Sequence, residues 1–181
     1  MNHEESDESV LQRLGAGDLG ALEALYDRYA SGMYQYLVAT CSSEADAEDV
    51  LQDVFLALVR MGRKVSRIND LRSYLLVAAR NRAASMARRR NAEGRRLQRL
   101  PSPGRQNAEG AGAGHAWQVQ DALHKLPSEQ REVVALKIWQ GMTFLEIGKV
   151  LRISPDTAAS RYRYAIAKLR EILGGMFDER Q

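Results

Sequence analysis

Two sets of side chains in this sequence have the types and spacing to bind a polyanion. On a wheel drawn at ~100° per residue, Asp156, Thr157, Ser160, Arg161, Arg163, Tyr164 and Lys168 share one arc. Ala158, Tyr162, Ala165, Ile166, Leu169, Ile172 and Leu173 share the other. Hydroxyl groups beside cations are what a helix needs to read base edges and phosphates in a DNA major groove. The plainer reading is the wet face of an ordinary surface helix, but a tight turn and two helix caps just upstream agree with the DNA-reading one. The second set is a run of cations: Arg63, Lys64, Arg67, Arg72, Arg80, Arg82, Arg88, Arg89 and Arg90. Compensation of a helix C-terminal dipole would account for two or three of these, but not for the four at the start of the run.

The charge distribution supports a polyanion partner. The whole chain of 181 residues carries a net charge of only +3. Residues 1–60, however, hold 3 basic and 12 acidic side chains, residues 61–105 hold 13 and 2, and residues 106–181 hold 10 and 9. A basic block of this kind points to nucleic acid, and the acidic first third points to a cationic protein surface or to solubility. On one helix of that acidic third, Asp49, Gln52, Asp53, Leu56 and Arg60 share a face, so a leucine sits among acids where water is expected. A solvated face with one stray leucine is common and is the simpler reading of this helix alone. A docking face for a basic partner helix, centred on Leu56, is the other.

No catalytic constellation accompanies these faces. His3, His115 and His124 are far apart and lack metal-ligand spacing, and there is no phosphate-cradling glycine loop or nucleophile motif. The single cysteine, Cys41, permits no internal disulfide and reads as a small packing residue. The sequence therefore predicts a protein that is not an enzyme and needs no cofactor or metal. The acidic start of the chain lacks the basic and apolar pattern of a secretory signal, and no window is apolar enough for a membrane span, so a cytoplasmic location is expected.

The elements that must position these residues all have the helical period. Helices are predicted from Asp18 to about Thr40, from Ser43 to about Met61 on a stripe of Ala47, Val50, Leu51, Val54, Phe55 and Leu58, and from Leu71 to about Arg90, capped by Asp70. A basic loop, Met61 to Asn69, joins the last two. Further on, Ser128 to Gln140 is a helix stopped at Gly141, and Thr143 with Glu146 fits a capping box opening the next. Ser154 caps a final helix that has Pro155 at its first position and runs to about Leu173. Two helices joined through Arg152-Ile153-Ser154 make a helix-turn-helix. Between the halves, residues 91–116 have no apolar period and hold five of the fourteen glycines, which predicts a flexible linker. The expected fold is all-α: two small helical domains, residues 1–90 and 117–181, joined by that linker.

In two blocks the chain resembles the extracytoplasmic-function sigma factors of the bacterial sigma-70 family. Leu22 to Tyr29, Asp46 to Phe55, Leu71 to Leu75 and Ala79-Arg80-Asn81 are similar to that family's region 2, in order and spacing. Leu126 to Arg131, Gly141 to Ile147 and Ile153 to Arg161 are similar to its region 4. The resemblance implies a factor that directs promoter-specific initiation by binding core RNA polymerase and the minus-ten and minus-thirty-five elements. It implies docking of Asp46, Glu48, Asp49, Gln52, Asp53 and Leu56 on the clamp helices of the largest polymerase subunit. It also implies capture of an unpaired minus-ten base by Arg63, Lys64, Arg67, Asn69, Arg72, Tyr74, Arg80 and Asn81, where cations follow phosphates and aromatic or amide groups receive the base. Duplex reading of the minus-thirty-five element would fall to Thr157, Ser160, Arg161, Arg163, Tyr164 and Lys168. An anti-sigma factor is a further partner in many members. The sequence departs from the family pattern at Tyr74, where tryptophan is usual, and at Ala159, where a lysine or arginine is frequent. A conventional helix-turn-helix regulator with an N-terminal dimerisation or sensing module is the alternative. It accounts for the final helix but not for the basic block or the Leu56 face.

Overall fold

A computed structural model describes residues 5–97 and 115–178. Among these residues every regular element is helical. Helix α1 is Asp7–Gly15, α2 Leu19–Thr40, α3 Glu44–Met61 and α4 Leu71–Leu97, with a single 3-10 helix, Gly62–Arg67, between α3 and α4. The second half consists of α5 His115–His124, α6 Ser128–Trp139, α7 Phe144–Leu151 and α8 Pro155–Asp178.

The predicted Asp70 cap forms, its carboxylate accepting from Ser73 N at 3.0 Å; the Asp18 carboxylate likewise accepts from Gly20 N and the Ser43 hydroxyl from Asp46 N. Those bonds satisfy backbone donors that the first turn of a helix otherwise leaves without partners. At the start of α7 the capping box is complete: Thr143 Oγ1 accepts from Glu146 N, and the Glu146 carboxylate accepts from Thr143 N at 2.6 Å. Helix α7 closes on Arg152, which takes the left-handed conformation at φ 58° and donates its N–H to Gly148 O. Ser154 Oγ then accepts from Thr157 N at 3.0 Å and opens α8. A Cβ on Gly148 would lie 2.7 Å from Ile153 O, so only glycine allows the turn to fold this closely against α7.

Three features differ from the sequence reading. Helix α1 was not foreseen, although Ser6 caps it and Val10, Leu11 and Leu14 are buried at one-and-four spacing. The Met61 to Asn69 loop is largely the 3-10 helix, pinned by the buried Val65. Helix α4 continues to Leu97 and α5 begins at His115, so both ends of the stretch 91–116 are helical; residues 98–114 lie outside the described residues. One glycine, Gly94, costs about 1 kcal/mol against alanine, too little by itself to end a helix rich in alanine and arginine.

The apolar stripe of α3 is buried as predicted, Ala47, Val50 and Leu58 completely, between α2, α4 and the 3-10 helix. The middle turn of α6 is buried on all sides, with Val133, Val134, Ala135 and Leu136 each at 0% exposure. Its neighbours explain this: α8 covers one side and α2, from the first half of the chain, covers another. The two helical domains also pack against each other, chiefly through α2 and α6.

Candidate nucleic-acid and polymerase-binding faces

Helices α2 and α3 enclose a groove of about 420 Å³ lined by Leu22, Tyr26, Glu48, Asp49, Leu51, Gln52, Phe55 and Leu56. Its floor is apolar, with the Tyr26 and Phe55 rings 5.0 Å apart and tilted. Its rim is acidic and wet. Leu56 is 41% exposed and Tyr26 47%, so each presents apolar surface to solvent beside carboxylates. The sequence reading found Leu56, Asp49, Gln52 and Glu48 for this face but did not place Leu22 or Tyr26 on it. A wheel drawn on α2 alone cannot separate side chains that cover α3 from those that border a groove beside it.

Asp46 and Asp53 do not belong wholly to that face. Asp46 is 5% exposed and turns toward α4, where Arg90 donates to its Oδ2. It lies within the first turn of α3, beside Cys41, where the helix is already against its neighbour. Asp53 is partly buried and accepts from Arg82 Nε at 2.6 Å. Both carboxylates therefore bind arginines of the basic helix.

The predicted minus-ten residues split into two places. Arg63, Lys64, Arg67 and Asn69 are all exposed on or just after the 3-10 helix, which α1 supports from below: a Cβ on Gly15 would lie 3.5 Å from both Arg63 Cα and Val65 Cγ1. Tyr74 is half-buried beside that turn, its hydroxyl 3.2 Å from Met61 Sδ. Arg72 is half-buried near the start of α4, and Asn81 is exposed further along it. Arg80 is separate. Its Nε donates to Glu132 of α6 at 2.7 Å. Helix α1 is tied to α2 by Arg28 and Tyr29, which both donate to the Asp7 carboxylate, and by Arg28 donating to Glu5 O at 2.7 Å. Burial and the neighbouring Asp7 charge hold the Tyr29 hydroxyl protonated, its pKa well above the usual tyrosine range.

On α8 the predicted reading set is brought to one surface. Arg163, Tyr164 and Lys168 are exposed, Tyr164 by 70%, and Thr157 and Ser160 are partly covered. Arg163 donates to Ser160 Oγ at 3.2 Å. Arg161 is drawn to one side by Glu129 of α6 at 2.5 Å. Phe144, Asp156, Ala159, Ser160, Tyr162 and Arg163 line a hollow at the mouth of the helix-turn-helix. Lys137 was missed by the sequence reading. Its Nζ stands 5.0 Å over the Phe144 ring and donates to Met142 O at 3.0 Å, which adds a cation near this mouth.

Among the described residues, all helical, the chain combines an acidic-apolar groove, a cationic turn and helix, and a helix-turn-helix, a set of faces suited to DNA and to a basic protein partner. Residues 25–93 match Sigma-70 region 2 and residues 122–171 match Sigma-70, region 4. The RNA polymerase sigma factor CarQ of Myxococcus xanthus is 29% identical over 91% of this chain and 95% of its own length. The ECF RNA polymerase sigma factor SigM of Mycobacterium tuberculosis is 30% identical over 95% of this chain and 87% of its own length. Among solved structures, the sigma factor RpoE of Bartonella quintana in complex with the anti-sigma factor NepR aligns with a TM-score of 0.69 at 20% identity, over 84% of this chain and 96% of that one. CnrH in complex with the cytosolic domain of CnrY aligns at 0.67 with 24% identity, over 94% of this chain and 99% of that one. The chain belongs to the extracytoplasmic-function sigma factors of the sigma-70 family. It is an RNA polymerase sigma factor, and the reading as a conventional regulator is set aside because both halves, in order, match sigma regions. Sigma factors are initiation factors, and the chemistry of transcription belongs to the polymerase. No helix among the described residues is long and apolar enough to cross a membrane.

Proposed function

We propose that this sigma factor docks on core RNA polymerase through the α2–α3 groove, captures the minus-ten strand with the 3-10 helix and α4, and reads the minus-thirty-five duplex with α8. The observation that carries the docking assignment is the combination of exposed Leu56 and Tyr26 with the carboxylates of Glu48 and Asp49 around one groove. An apolar centre with an acidic rim fits a basic partner helix, where the rim steers approach and the centre supplies the buried area. Exposed cations at Arg63, Lys64 and Arg67 surround the turn where a single strand would run, and phosphate contacts there would position the strand without choosing its sequence. In this reading Asp46 supports α4 and does not itself touch polymerase. The units assigned to these roles are residues 1–97 for docking and the minus-ten element, and 115–181 for the minus-thirty-five element. The chain acts in the cytoplasm with the polymerase. An anti-sigma protein, of the kind present in the solved structures of RpoE and CnrH, would regulate it.

Gel filtration of the chain mixed with bacterial core polymerase tests the docking face. The wild type co-elutes with core. The variant Asp49→Arg with Gln52→Arg elutes free while keeping its helical circular-dichroism signal, since both side chains are exposed and neither forms one of the α4 ion pairs. Co-elution of that variant would remove the groove from the docking assignment.

A further inference from the structure

A cleft of about 430 Å³ opens among α2, α3, α4 and α6, within the range of ~300–1,000 Å³ usual for small-molecule sites. Four arginines line it: Arg80, Arg88, Arg90 and Arg131. Two of these are neutralised within the chain, Arg80 by Glu132 at 2.7 Å and Arg90 by Asp46. Among the described residues the other two meet no carboxylate. Arg88 donates to Ser85 Oγ at 2.9 Å, and Arg131 lies 2.6 Å from His124 Nδ1.

Arg131 is half-buried, and burial pulls its pKa below the ordinary value with no facing carboxylate to offset the lost hydration. Burial first, and then the Arg131 charge, hold His124 below its ordinary value of 6.5. At neutral pH its Nδ1 is therefore an acceptor that aims the guanidinium. Ala83, Ala84, Met86 and Ala87 of α4 give the cleft an apolar wall. Asp46, 5% exposed, also lines it, and its Oδ1 has no hydrogen-bond partner among the described residues. Two open cations, an apolar wall and a buried acceptor without a donor thus surround one space.

We propose that this cleft binds a nucleoside phosphate, its phosphates on Arg88 and Arg131, its base against Ala84 and Met86, and a base N–H directed to Asp46. Guanidinium groups take phosphate oxygens through charge-assisted, often paired hydrogen bonds. A bare inorganic anion would leave the apolar wall wet and Asp46 without a donor, whereas a flat base with N–H groups covers the one and meets the other. A continuous nucleic-acid strand fits less well. Asp46 and Glu132 stand inside the cleft, and their charges oppose a line of phosphates passing through it. The site needs neither Arg80 nor the minus-ten reading, since Arg80 stays with Glu132.

Isothermal titration calorimetry of the full-length chain with ATP, GTP, CTP and UTP in turn, and with inorganic pyrophosphate, tests the site. At least one nucleotide is expected to bind saturably at one site per chain and to raise the thermal unfolding midpoint, because it binds the folded chain alone. Arg131→Gln and Arg88→Gln should each weaken that binding about tenfold, the usual loss for one charge-assisted contact. Ala84→Trp fills the cleft from an exposed position and should abolish binding while the circular-dichroism signal is kept. Arg89→Gln removes the same charge from an exposed position outside the cleft and should change the affinity by less than about twofold. No saturable binding of any nucleotide up to about 1 mM would overturn the proposal, as would binding that survives Ala84→Trp or falls equally with Arg89→Gln. Pyrophosphate binding as tight as the nucleotide's would overturn the nucleoside assignment, leaving an anion site. Displacement of the nucleotide by a single-stranded oligonucleotide that Ala84→Trp also weakens would overturn it in favour of a DNA path.

Discussion

Arginine is the residue on which most of this protein's behaviour turns, and its partner decides what each arginine is able to do. Arg163 sits on the exposed side of α8 and bonds only to Ser160, so its guanidinium remains open to a phosphate or a base edge. Arg161, two positions earlier and at the opposite edge of that arc, pairs with Glu129. The pair is exposed on its acidic side, and exposed ion pairs contribute about 0–1 kcal/mol, so DNA can displace the carboxylate. Arg161→Ala is therefore expected to weaken minus-thirty-five duplex binding by about 1–3 kcal/mol while core polymerase binding is kept. Electrophoretic mobility shifts with the holoenzyme, beside gel filtration with core alone, check this. Loss of both activities would instead point to a damaged fold. Cys41 is a contrasting case: burial and the nearby Asp46 push its thiol up to about 11, which leaves it protonated and poorly reactive at neutral pH.

At the scale of elements, short polar caps set where each helix begins, and their strength depends on pH. The hydrogen bonds from Thr143, side chain and backbone, hold the Glu146 carboxyl below its ordinary value of 4.5. A carboxyl depressed in the folded state binds its proton more readily when unfolded. Its contribution is therefore complete above about pH 4.5 and disappears as pH falls below that value. Asp70 behaves in the same way through Ser73, from an ordinary value of 3.8. Thermal melts between pH 6 and pH 4 are expected to show a smaller loss of midpoint temperature for Glu146→Gln than for the wild type, because the variant has already lost the titrating cap. Equal losses would mean that the capping box does not titrate with folding. The caps were legible in the sequence because they are local: Thr143 and Glu146 need only each other and one turn of helix. Helix α1 carried comparable signals in Ser6, Asp7 and the Val10, Leu11, Leu14 spacing, but the acidic character of the surrounding segment masked them.

The whole molecule is one packed body in which the second half leans on α2. Tyr36 is the clearest sign of this, a fully buried aromatic whose hydroxyl reaches across to Glu132. Desolvation and the facing carboxylate push its pKa well above the usual tyrosine range, so it is a neutral donor at every working pH. Tyr36→Phe keeps the ring and removes only that bond. It is expected to cost about 0.5–1.5 kcal/mol of stability, measured by urea unfolding. No change in unfolding midpoint would show that the bond is made equally well with water. The same packing explains why α6, legible as a helix, shows no single apolar stripe in sequence. Four successive residues buried on all sides have no wet face to define a stripe, and the cause lies in α2, a hundred residues away.

The sequence by itself determined the helices other than α1 and α5, the Asp70, Thr143 and Ser154 caps, the helix-turn-helix, the division of charge and, through the resemblance, the sigma family. Each depends on residues a turn or two apart, or on motifs kept in order, and such relations survive without coordinates. The tertiary structure alone decided that Asp46 faces α4, that Tyr26 and Leu22 border the acidic-apolar groove, and that Arg80 and Arg161 are held by carboxylates of α6. Those facts depend on which surfaces meet, and a helical wheel shows the side on which a residue lies but never what stands against it.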